Sequence, residues 1–102
     1  MVLELNQENF KSSIAKGIAV IDFWAPWCGP CKQMTPVIEK LAQEQPDLTI
    51  GKLDIDEAKE IAQDYNVLSI PTVIIFKDGE DMDRIVGVTS DKKIMEKVNS
   101  IK

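Results

Sequence analysis

The sequence contains no histidine and only two cysteines among its 102 residues. The missing histidine removes whole classes of chemistry, since no Ser/His/Asp triad and no Cys2His2 zinc site can be built. Lys32 follows Cys31, so there is no haem-attachment sequence either. Two cysteines alone leave a zinc or iron-sulfur site short of two ligands unless two chains share it, and no metal is expected. Basic charge is sparse and dispersed, with 12 Lys and Arg against 17 Asp and Glu and a net charge of -5. Without a basic cluster, neither nucleic acid nor an anionic membrane surface is an expected partner. The opening residues lack both a basic start and a long apolar run, so no secretory leader or membrane span is expected, and the chain is expected to stay in the cytoplasm.

What is present suffices for one core. An apolar fraction of 44% over 102 residues supports a single domain spanning residues 1–102. The chain has no internal repeat and no linker, and it reads as short strands alternating with helices. Residues 2–5 are a short candidate strand, and Asn6 caps a helix to about Lys16, where Gly17 provides a left-handed stop. The run IAVIDFW, residues 18–24, is apolar on both alternating faces, as in a central strand covered on both sides. A helix starts near CGPC and ends before Pro46, with Pro36 inside it, where a kink is expected. Residues 48–55 form a strand, Asp56 caps a helix to about Asp64, and residues 72–76 form another strand. Asp78-Gly79 marks a two-residue hairpin turn into a last strand over residues 82–88. Ser90 caps a final helix with Ile94, Val98 and Ile101 on one face. The order βαβαβαββα describes an α/β fold, a mixed central sheet flanked by helices on both faces.

Both cysteines stand in WAPWCGPCK, residues 24–32. Cys28 follows a central strand and opens a helix, where unpaired backbone N–H groups and the helix dipole favour a thiolate. Cys31 falls on the same helical face, near disulfide distance. Pro30 suits the first helical turn because it has no N–H to leave unpaired, and Gly29 lets another backbone approach. In a reducing compartment such a pair is more often reactive than structural. Asp22 alternates onto the face of Val20 and Trp24 in a strand covered on both sides, so its carboxyl is expected to be buried with a raised pKa. It lies below the cysteines, where a raised pKa suits a proton acceptor for Cys31. Other charges have simpler readings. Asp54, Asp56 and Glu57 charge a helix start. DGEDMD, residues 78–83, has its glycine in the wrong place for a calcium loop.

Taken together, WAPWCGPCK, Pro36, SIPT at residues 69–72 and Gly87 resemble the thioredoxin family over essentially the whole chain. The resemblance implies the thioredoxin fold and a protein disulfide oxidoreductase that uses no cofactor. It further implies that Cys28 attacks a substrate disulfide, Cys31 resolves the mixed disulfide, and Asp22 accepts the Cys31 proton with Lys52 as its partner. Trp27, Gly29, Pro30, Ile70, Pro71 and Gly87 would form the substrate surface, with the Ile70–Pro71 bond cis. Implied partners are proteins bearing disulfides and a flavoprotein thioredoxin reductase as electron donor, with the protein acting as a monomer. Two departures stand out: Leu68 occupies a position that is often basic in the family, and Val88 one that is often alanine. An isomerase or oxidant of the same fold and a non-redox binding module using the same groove are the competing readings. Isomerase domains more often carry histidine where Pro30 stands.

Overall fold

A computed structural model describes residues 1–102. Its elements are β1 (Leu3–Leu5), α1 (Phe10–Ile14), β2 (Ile18–Trp24), α2 (Gly29–Glu44), β3 (Thr49–Asp54), α3 (Lys59–Asp64), β4 (Thr72–Lys77), β5 (Glu80–Val86) and α4 (Asp91–Ile101). The element order therefore matches the reading βαβαβαββα. Five strands form one sheet in the order β1-β3-β2-β4-β5. β3 runs parallel to both β1 and β2, while β4 is antiparallel to β2 and to β5, so the sheet is mixed.

β2 lies at the centre because its residues can be buried on both sides. Ala19, Ile21 and Phe23 join Phe10 and Ile14 of α1 and Ile61 of α3 in one core layer. Val20 faces the other way into a second layer with Met34, Ile38 and Leu41 of α2 and Ile94 and Val98 of α4. The alternation of side chains along an extended strand divides the residues in this way.

Several local signals work as the sequence indicates. Asp78 and Gly79 both adopt positive φ, 50° and 88°, in the turn joining β4 to β5. The same turn closes onto Gly17, itself at φ 70°, whose N–H donates to Asp78 Oδ1 at 2.8 Å. Ser90 Oγ accepts the Lys93 N–H at 3.2 Å and caps α4. The kink expected at Pro36 does not divide α2, which runs as one helix from Gly29 to Glu44 with Pro36 inside it.

Two helix starts differ from expectation. α1 begins four residues after Asn6 because Asn6 Oδ1 accepts the N–H groups of Glu8 and Asn9, both at 2.9 Å, and holds residues 7–9 as a turn. A side chain that bonds its own neighbours competes with helix propagation. Asp56 likewise caps no helix. Asp54 Oδ1 takes the Asp56 N–H at 2.9 Å, the intervening residues turn, and α3 starts only at Lys59 behind Ala58, which has no side-chain cap.

Candidate active site: a disulfide at the start of a helix

The redox candidate is built at the junction of β2 and α2. Cys28 is the N-cap residue of α2, with extended backbone (φ -88°, ψ 111°), and its Sγ accepts the Cys31 N–H at 3.2 Å. Gly29 and Pro30 fill the first two helical positions, where a missing N–H leaves no intrahelical bond unmade. Cys28 and Cys31 form a disulfide with their Cα atoms 5.4 Å apart. Both are nearly buried and pack with Ala25, Trp24, Ile55 and Ile70. The space above Gly29 is open, with no heavy atom beyond its chain neighbours and its own helix backbone within 4 Å of where a Cβ would stand.

Three further segments surround the sulfurs. The Ile70–Pro71 peptide bond is cis, and the Ile70 carbonyl oxygen lies 3.9 Å from Cys28 Sγ. The Pro71 carbonyl accepts the Gly87 N–H at 2.8 Å, which brings the end of β5 beside the proline loop. Gly87 has φ 96°, a conformation that side-chain-bearing residues rarely adopt. Trp27 is 69% exposed although large and aromatic, and its indole N–H donates to Asp56 Oδ2 at 2.8 Å. Leu68 is 94% exposed and Val88 48%, so the surface next to the disulfide presents several large apolar side chains to solvent.

Asp22 lies beneath. It is 1% exposed, and its Oδ1 has no hydrogen-bond partner. Burial pushes its pKa from 3.8 up to about 7, partly offset by the positive charge of Lys52. Asp22 and Lys52 are register partners on β2 and β3, yet they do not form an ion pair. The Lys52 ammonium instead lies 4.3 Å from the centroid of the Trp24 ring. A cavity of about 50 Å³ joins these groups, lined by Asp22, Lys52, Trp24, Cys31, Lys32 and Thr35 among others. The buried carboxyl and the inner cysteine therefore share one polar space, large enough for a water molecule.

A protein-family model described as Thioredoxin matches residues 1–100. The chain belongs to the thioredoxin family. It is 50% identical to the thioredoxin of Chlamydia trachomatis over 99 residues, covering 97% of each chain. It is 43% identical to that of Bacillus subtilis over 99 residues, covering 96% of this chain and 95% of the other. Among solved structures, a point mutant of the thioredoxin from Halobacterium salinarum superposes with a TM-score of 0.88 at 34% identity, covering 96% of this chain and 88% of that one. The chain is thus a thiol-disulfide oxidoreductase with the thioredoxin fold, which reduces protein disulfides through its Cys-Gly-Pro-Cys motif.

The structure brings together all ten residues singled out from the sequence. Cys28, Gly29, Pro30 and Cys31 form the helix start, Asp22 and Lys52 lie below it, and Trp27, Ile70, Pro71 and Gly87 lie around it. Sequence reasoning missed two contributors. Asp56, whose position in the sequence marks it for a helix start, instead holds the Trp27 indole, a contact across 29 residues that no local pattern signals. Thr35 lines the cavity because it stands one helical turn after Cys31, a spacing that was readable.

Proposed function

We propose that Cys28 is the attacking sulfur and Cys31 the resolving one. The observation that carries this assignment is the N-cap position of Cys28, whose sulfur takes the Cys31 N–H at 3.2 Å. After reduction the same N–H and the helix dipole stabilise a thiolate on Cys28, and the thiolate is the nucleophile. That thiolate attacks one sulfur of a substrate disulfide, forms a mixed disulfide and expels the first substrate thiolate. Asp22 then accepts the proton of Cys31, and the new thiolate attacks Cys28 Sγ to release the second substrate sulfur. The substrate leaves with two more electrons, its two thiolates take one proton from Asp22 and one from solvent, and the Cys28–Cys31 disulfide forms. Lys52 tunes the Asp22 carboxyl through its charge and not through a direct pair.

Trp27, Ile70, Pro71, Gly87 and the exposed Leu68 and Val88 form the surface that receives an extended substrate segment, with Gly29 leaving room for its backbone. A flavoprotein thioredoxin reductase returns the couple to the dithiol, and the protein works as a monomer in the cytoplasm, carrying electrons for redox homeostasis. The bacterial relatives support that setting, and no helix is long and apolar enough to cross a membrane.

The reduction potential, measured by equilibration against a dithiol buffer, tests the direction of electron flow. A value near about -270 mV, typical of reducing members of the family, fits a donor, whereas about -180 mV or higher recasts the protein as an oxidant or isomerase. Rapid-quench trapping tests the proton acceptor. Asp22→Ala should accumulate the mixed disulfide, and a resolution rate equal to wild type would exclude Asp22 from that step.

A further inference from the structure

Met34 stands three residues after Cys31 on α2 and is 0% exposed. Its Sδ accepts the backbone N–H of Thr89 at 3.4 Å. Thr89 lies in the irregular segment between β5 and α4, where no strand or helix supplies a partner for that amide. Its side-chain hydroxyl is buried without a partner, so the segment is not anchored through the Thr89 side chain. A thioether is a weak acceptor, but for a backbone amide in this position it replaces nothing stronger.

The contact completes a ring around the disulfide. Cys28 Sγ abuts the Ile70 carbonyl, the Pro71 carbonyl takes the Gly87 N–H at 2.8 Å, and Met34 takes the Thr89 N–H. Met34 returns the path to α2, one turn from Cys31. Gly87 and Thr89 are therefore pinned on either side of Val88, whose side chain remains 48% exposed. Pinning both flanking amides sets the direction in which Val88 projects.

We infer that Met34 is a positioning residue for substrate specificity: its thioether fixes the Gly87–Thr89 segment so that Val88 forms the far wall of the substrate surface. The inference rests on the reading of Gly87 and Val88 as part of that surface. It follows that Met34 matters for extended protein disulfides and not for small ones that never reach the wall.

Met34→Leu tests this, because leucine preserves volume and removes the acceptor. With insulin as the protein disulfide, the variant should raise KM by about three- to tenfold while kcat stays within about twofold. Reduction of hydroxyethyl disulfide should be unchanged. In native-state hydrogen exchange the Thr89 amide should exchange at least about tenfold faster in the variant, while the Gly87 amide keeps its protection. A variant that slows both disulfides equally, or leaves insulin KM unchanged, overturns the inference. A Thr89 amide that exchanges in the wild-type protein as fast as an unstructured peptide overturns it without any variant. Val88→Ala separates this inference from the reading beneath it. An insulin KM insensitive to Val88 removes the wall itself, whereas a KM sensitive to Val88 but not to Met34 removes only the role of Met34.

Discussion

The two faces of the central sheet are covered by the same number of helices and built on different principles. On one face α1 and α3 are only five and six residues long. Helices that short have little stability of their own, so tertiary packing must hold them. The packing is aromatic: Phe10 meets Phe23, Tyr65 and Phe76 with ring centroids 6.4, 5.8 and 5.7 Å apart, two of the three pairs edge-to-face. On the other face α2 and α4 run sixteen and eleven residues over an aliphatic layer, and that face also holds a carboxylate, a polar cavity and the inner cysteine. β2 serves both. A single step along the strand, from Ile21 to Asp22, passes from a layer that only stabilises to one that carries chemistry. The reactive face carries a buried carboxyl with an unpartnered oxygen, whereas the opposite face is held mainly by aliphatic and aromatic packing.

If this division holds, the two faces should fail in different ways. Cys28→Ser should abolish reduction of a model disulfide while melting close to the temperature of the wild-type dithiol form. Steady-state turnover and thermal unfolding of the reduced protein check this, and residual wild-type turnover would refute the dithiol mechanism. Phe10→Ala should do the reverse. Removing the residue at the hub of the aromatic layer should cost about 3–5 kcal/mol, with turnover per folded molecule retained. Urea denaturation paired with activity in low denaturant would show whether stability and chemistry part in this way.

Asp22→Asn sharpens the comparison, because here the reactive face itself carries a stability cost. The unfolded chain ionises Asp22 near its ordinary pKa of 3.8, whereas the folded protein keeps the proton until about pH 7. Between those values the folded state binds more protons than the unfolded one, so wild-type stability falls as pH rises. A shift of this size corresponds to at most about 4 kcal/mol. Above pH 7 both states are ionised and the loss is complete. Below pH 4 both are protonated and the contribution vanishes. The stability of Asp22→Asn relative to wild type should therefore rise between pH 4 and 7 and level off beyond. Urea titrations of both proteins across that range measure the difference, and a pH-independent difference would mean that burial does not hold the carboxyl neutral.

Much of this was legible in the sequence. The apolar run of β2, the Asp78-Gly79 turn, the Ser90 cap and the element order depend on residue types at close spacing, and such patterns act through local geometry. The helix starts after Asn6 and Asp56 were harder to read. An Asn or Asp side chain satisfies a nearby amide equally well in a turn or in a helix cap, and only the positions of neighbouring segments decide between them. The reacting residues were legible for a related reason: a thiol pair three residues apart at a strand-to-helix junction has its geometry supplied by the backbone.

The sequence by itself determined that this chain builds one α/β domain, that its only two thiols meet at a helix N-terminus, and that a carboxyl is buried below them. Each of these follows from periodicity or short-range spacing. Only the tertiary structure decided that Lys52 lies over Trp24 instead of pairing with Asp22, that Asp56 holds Trp27, and that Met34 reaches Thr89. Those contacts join segments far apart along the chain. A side chain with several partners within reach is committed to one of them only by how the strands and helices pack.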